Sequence, residues 1–171
     1  FRFTFENDNY FNGMTFALYA FYFSVLMLLP IFAATEGGSQ LAGETSSRTL
    51  QLLLTRPVSR SSIFLQKLII SAVYMTLLVG LLLGAALLMG LLAVGWGELK
   101  IYPGVMQMTD RPQELTQDEA VWAFAMAWPA ASLAVTTPLA MSFFLSSCMR
   151  NPINAVTASV AVYLVLYVIS Q

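Results

Sequence analysis

At 171 residues, 58% hydrophobic and 10% charged, with a mean hydropathy of +0.72, the chain is too apolar for a soluble globular domain, in which about 25% of residues are charged. A net charge of −1 says nothing about nucleic acid, but no basic cluster is dense enough for a phosphate backbone, so nucleic acid is not an expected partner. The lack of histidine removes His-metal sites and Ser–His or Cys–His catalytic pairs. Cys148 stands alone, so it has no internal disulfide partner.

Residues 1–13 (FRFTFENDNYFNG) alternate aromatic and polar groups and read as loop or interfacial material. Tyr10, Phe11, Phe16, Tyr19 and Tyr22 suit an aromatic belt at a membrane boundary. Residues 14–35 carry no charge, enough for ~33 Å of helix, about one hydrocarbon core. They form the first expected span. Pro30 falls in its last turns and is expected to kink it.

The long polar run between two very apolar segments begins at Glu36. Within it Glu44, Arg48, Gln51 and Thr55 recur at helical spacing, with Leu50, Leu53 and Leu54 on another face, which predicts a short amphipathic helix. Glu44 and Arg48 stand at i, i+4, a pairing worth roughly 0.2–0.5 kcal/mol. Pro57 stops that helix, and Ser59 or Ser61 can cap the next. Residues 36–60 are thus expected to form a small rigid knob at the membrane surface, a shape suited to docking. Taken alone, the Glu44–Arg48 pair is more often a solvated surface pair than a docking contact; the PVSR context after Leu53-Leu54 reverses that preference.

The second span is expected over 61–95, with Lys67 snorkelling at its start. Gly80 and Gly84 form a GxxxG pattern, either a packing seam with a neighbouring helix or subunit or a chance match in a Leu/Gly-rich span. Residues 96–116 form a second polar loop. Thr116 and Glu119 make a capping box that opens a third span over 117–149, where Pro129 and Pro138 imply a bent or broken helix. After a turn carrying Arg150, a fourth span covers 153–171. The predicted fold is all-α, a polytopic transmembrane helical bundle. Phe1 rather than methionine leads the chain, and the last apolar segment stops at Gln171, so we expect a piece of a longer protein.

Arg48, Arg56, Arg60, Lys67 and Arg150 cluster in two of the turns. By the positive-inside rule both turns are cytoplasmic and the 96–116 loop lies outside. The stretches 68–95 and 120–149 contain no Asp, Glu, Lys, Arg or His, which argues against a proton relay there. No G-x-x-x-x-G-K-[ST] motif is present, so energy for any pumping would enter from a partner. The nine methionines show no metal-ligand clustering and read as adaptable packing.

Gly43-Glu44, Thr49-Leu50, Leu53-Leu54, Pro57-Val58-Ser59-Arg60 and the following Lys67 resemble, in order and spacing, the signature of type-2 ABC export permeases. In that family a glutamate precedes GTL, LL, PVSR and a lysine. Arg48 departs from the glycine that many members carry. Ser146-Ser147, Arg150-Asn151-Pro152 and Ala155 resemble the family's later serine, basic and asparagine turn. The family usually has about six spans per subunit, against four here. The resemblance implies that residues 36–60 include a coupling helix contacting a P-loop ATPase subunit through Glu44, Arg48, Thr49, Leu50, Leu53, Leu54, Pro57, Val58, Ser59 and Arg60. It also implies a second permease subunit, identical or not, a cell-membrane location, and ATP and magnesium on the partner with no cofactor in this chain. The alternative is a non-transporting membrane scaffold or a subunit of an ATPase-linked mechanical complex.

Overall fold

The computed structural model describes residues 12–46, 60–95, 97–101 and 113–169. Among the described residues, four helical segments are long and apolar enough to cross a membrane, namely Gly13–Ser46, Ser61–Ala93, Gln117–Cys148 and Pro152–Ile169. The all-α, four-span fold is the expected one. The first segment comprises α1 (Gly13–Phe23), a π-helical turn (Ser24–Leu28) and α2 (Leu29–Ser46); the others are α3 (Arg60–Val94), α4 (Gln117–Cys148) and α5 (Pro152–Ile169). Between α3 and α4, strands β1 (Leu99–Ile101) and β2 (Gln113–Leu115) pair antiparallel, with Leu99 opposite Leu115. This ladder lies within the expected 96–116 loop and went unforeseen, because three-residue strands carry too little periodicity to read.

The chain divides into two compact units, and α3 and α4 contribute to both. The first contains Phe1–Ser24 and Gly80–Pro129, and Met14, Ala17, Phe21, Leu83, Leu99 and Phe124 are buried. Asn12 caps α1 by accepting from the Thr15 amide at 3.0 Å, and its side-chain amide donates to the Glu98 carbonyl. Gly95, at φ +90°, ends α3 in the left-handed conformation that glycine adopts without a Cβ penalty. The capping box is present. Glu119 accepts from the Thr116 amide at 3.0 Å and from its hydroxyl at 2.9 Å. From there α4 continues without interruption through Pro129 and Pro138.

The expected GxxxG seam divides. A Cβ on Gly80 would sit 3.0 Å from the Trp128 indole nitrogen, whereas nothing lies within 4 Å of one on Gly84. Of these two glycines, only Gly80 makes room for a neighbour among the described residues. The tightest backbone approach in the unit is elsewhere, at Gly13 and Gly90, where a Cβ on either would overlap the other's carbonyl oxygen.

The second unit contains Val25–Val79 and Ala130–Gln171. Here the structure corrects the expected end of the first span. Pro30 lies near the middle of a helical segment that runs on to Ser46, and the distortion sits just before the proline, in the π-helical turn. Pro30 has no amide proton for the carbonyl of Leu26. Tyr163 on α5 supplies the missing donor through its hydroxyl, as a backbone carbonyl within a membrane requires.

Beyond Thr35 the helix persists because its polar residues satisfy one another along the outside. Gln40 donates to the Glu36 carboxylate, and the hydroxyls of Ser39 and Thr45 bond back to the carbonyls of Glu36 and Leu41. Its small residues Ala33, Ala34, Gly37, Gly38 and Ala42 are buried. Residues 36–46 of the expected separate knob are therefore a direct continuation of the first span.

Candidate coupling site

Two helix ends flank the polar segment, the last turns of α2 and the first of α3. Of the residues assigned to docking, Arg48, Thr49, Leu50, Leu53, Leu54, Pro57, Val58 and Ser59 lie outside the described residues. Arg60 opens α3. Glu44 is in the last turns of α2. Its carboxylate engages the Lys67 ammonium, 23 residues further on; the expected pairing with Arg48 lies outside the described residues. This ion pair ties the two ends of the polar segment together.

Both partners are mostly covered, with side-chain exposures of 21% for Lys67 and 26% for Glu44. Partial burial lessens screening by salt and solvent, so the pair is expected at the upper end of the ~0.2–1 kcal/mol typical of exposed pairs. Its geometric effect is larger. Lys67 does not simply reach for the interface; it holds α2 against α3.

The end of α4 grips the same part of α2. Ser146 is buried, and its hydroxyl accepts from the amides of Leu41 at 3.1 Å and Ala42 at 2.9 Å while donating to the Gly38 carbonyl at 2.7 Å. Its one proton and two lone pairs are all used. One turn earlier, the Ser142 hydroxyl lies 3.1 Å from the Ala33 carbonyl and 2.7 Å from that of Leu139. Among lipid tails apolar burial gives helices little reason to associate, so small residues and interhelical hydrogen bonds of ~0.6 kcal/mol on average take over.

Gly37 and Gly38 provide the necessary closeness. A Cβ on Gly37 would overlap the Ser142 hydroxyl and stand 2.9 Å from the Leu139 carbonyl, and one on Gly38 would stand 3.0 Å from the Val156 Cα on α5. Phe64 near the start of α3 meets Phe143 of α4 edge to face, with centroids 5.8 Å apart. Asn151 caps α5 by accepting from the Ile153 amide at 3.0 Å, which accounts for the asparagine in the second turn. In the sequence Ser146 and Asn151 stand out only as parts of a motif, and Gly37 and Gly38 belong to none. Their signal was the run of small residues at i, i+3 and i+4 inside an otherwise polar stretch.

A multi-pass α-helical membrane protein is thus defined, with a polar helix extension held by three other helices at one end of its second unit. A family model described as ABC-2 family transporter protein matches residues 2–171. The chain belongs to that family, and so is a membrane permease component of ABC transporters. No curated protein and no solved structure matches it.

Proposed function

We propose that the protein is an export permease whose polar segment receives force from a separate P-loop ATPase and passes it into the spans. The observation that carries this reading is the anchoring of α2. Its extension is bound by Lys67 on α3, by Ser142 and Ser146 on α4, and packs on Val156 of α5, so a displacement of the segment between Ser46 and Arg60 must move several spans. Residues 48–60 form the surface offered to the ATPase, and Glu44 positions that surface through Lys67. ATP and magnesium belong to the partner, and a second permease subunit completes the pathway in the cell membrane. The substrate is left open by this reading.

Orientation is checked by labelling single cysteines with a membrane-impermeant maleimide. Gly104→Cys is expected to react in intact cells and Ser46→Cys only after permeabilisation; the reverse pattern would sink the proposed sidedness.

Coupling is checked with Pro57→Ala, which removes a helix stop without altering charge. The variant is expected to insert normally yet lose co-purification with the ATPase or substrate-stimulated ATP hydrolysis. ATPase binding with no substrate dependence, even in the unaltered protein, would favour a scaffold or mechanical complex instead.

A further inference from the structure

A cavity of about 360 Å³ lies between α2 and α3, lined by Glu36, Gln40, Lys67, Ile70, Ser71 and Tyr74. This is at the lower end of the size range of small-molecule sites. Its polar walls are unevenly charged. Lys67 is the one cation lining it and is already engaged by Glu44, which leaves Glu36 as an anion without a cationic partner on the wall. Glu36 accepts one hydrogen bond, from Gln40, so most of its acceptor capacity remains. Ser71 is 4% exposed and lines the cavity, and its hydroxyl has no hydrogen-bond partner among the described residues. Its oxygen can therefore accept from a donor inside the cavity.

The approach to the cavity is apolar. Ile70, Tyr74 and Leu77 follow at helical spacing along α3 and are 68%, 49% and 64% exposed. Lys67 and Tyr74 are seven residues apart, roughly 10 Å along the helix, so the cavity runs from the charged start of this span into its apolar stretch. An ionisable group facing a cavity there marks a binding position.

We infer that this cavity binds the primary ammonium group of an amphiphile, with the ammonium between the Glu36 carboxylate, the Ser71 hydroxyl and the Gln40 side-chain carbonyl, and the hydrocarbon along Ile70 to Leu77. A primary ammonium presents three N–H donors to these acceptors. A quaternary ammonium has the charge but no donor. The group comes either from a phosphatidylethanolamine headgroup or from a free amphipathic amine. Neither case depends on the ATPase reading, so the two proposals fail separately.

The test is native mass spectrometry of the delipidated full-length protein. In one arm it meets equimolar dioleoyl phosphatidylethanolamine and phosphatidylcholine; in the other, dodecylammonium and dodecyltrimethylammonium. Retention of the primary amine over its methylated counterpart is expected to be about tenfold, the worth of a charge-assisted hydrogen bond. Preference in the lipid arm alone assigns the group to a headgroup, and preference in the detergent arm alone to a free amine; both preferences mean the cavity reads the ammonium from either source. In each case Glu36→Gln, nearly isosteric, must abolish the preference, and Ser71→Ala must weaken it. Equal retention of primary and methylated forms in both arms, or a preference that survives Glu36→Gln, would overturn the assignment.

Discussion

Gly37→Val is expected to cripple assembly of the second unit. The new side chain would meet the Ser142 hydroxyl and the Leu139 carbonyl of α4, and a backbone carbonyl cannot rotate away as a side chain can. Overpacking of this kind costs ~1–3 kcal/mol where neighbours can adjust. Here α2 itself must shift, which endangers the bonds of Ser146 to Gly38, Leu41 and Ala42. The measurement is the fraction of protein that stays monodisperse in mild detergent after a heating series.

Gly37→Ala makes a gentler companion. Combined with Ser142→Ala, which removes the nearest colliding atom, it should recover part of the loss and so be non-additive, as expected for side chains in contact. Unchanged thermal stability in Gly37→Val would show that α2 does not pack on α4 as described.

Reversing one charge of the Glu44–Lys67 pair is expected to have a small effect on folding and a large one on coupling. Glu44→Lys sets two ammonium groups where an ion pair stood. For a partly exposed site the loss of stability should be about 1 kcal/mol, so expression and insertion should be near normal. The ends of the polar segment would repel, however, and the surface offered to the ATPase would be re-aimed; misaligned charge at a docking surface can cost several kcal/mol. Substrate-stimulated ATP hydrolysis in proteoliposomes is therefore expected to fall steeply.

The double variant Glu44→Lys with Lys67→Glu restores the pair with its polarity reversed. If Glu44 acts by holding α2 to α3, the double variant should recover most of the coupling. If Glu44 touches the ATPase directly, it should not. Normal coupling in Glu44→Lys, with verified expression, would reduce the pair to an ordinary surface contact.

The membrane fold was legible because it depends on local quantities. Uninterrupted apolar length made the four spans plain, Thr116 and Glu119 marked the start of α4, and a run of conspicuous motif residues from Gly43 to Lys67 pointed to the family. Each of these signals lies within a few turns of chain. Where the first span would end was not legible in that way. Polarity after Thr35 suggested a boundary, yet the helix continues to Ser46 because Gly37, Gly38 and Ala42 fit against residues more than 100 positions away, among them Ser146.

The partner of Glu44 was likewise decided in three dimensions. Local spacing showed Arg48 but gave no sign of Lys67, which folding brings to the same carboxylate from 23 positions away. The same holds for Pro30, whose missing amide was visible in the sequence while the hydroxyl of Tyr163 that compensates for it, 137 residues from Leu26, was not. The sequence by itself determined what enters the bilayer, since transfer into lipid depends on each segment's own composition. Which helices touch, and through which serines and glycines, was decided only by the tertiary structure, because close approach and hydrogen bonding between spans depend on shape on both sides of the contact.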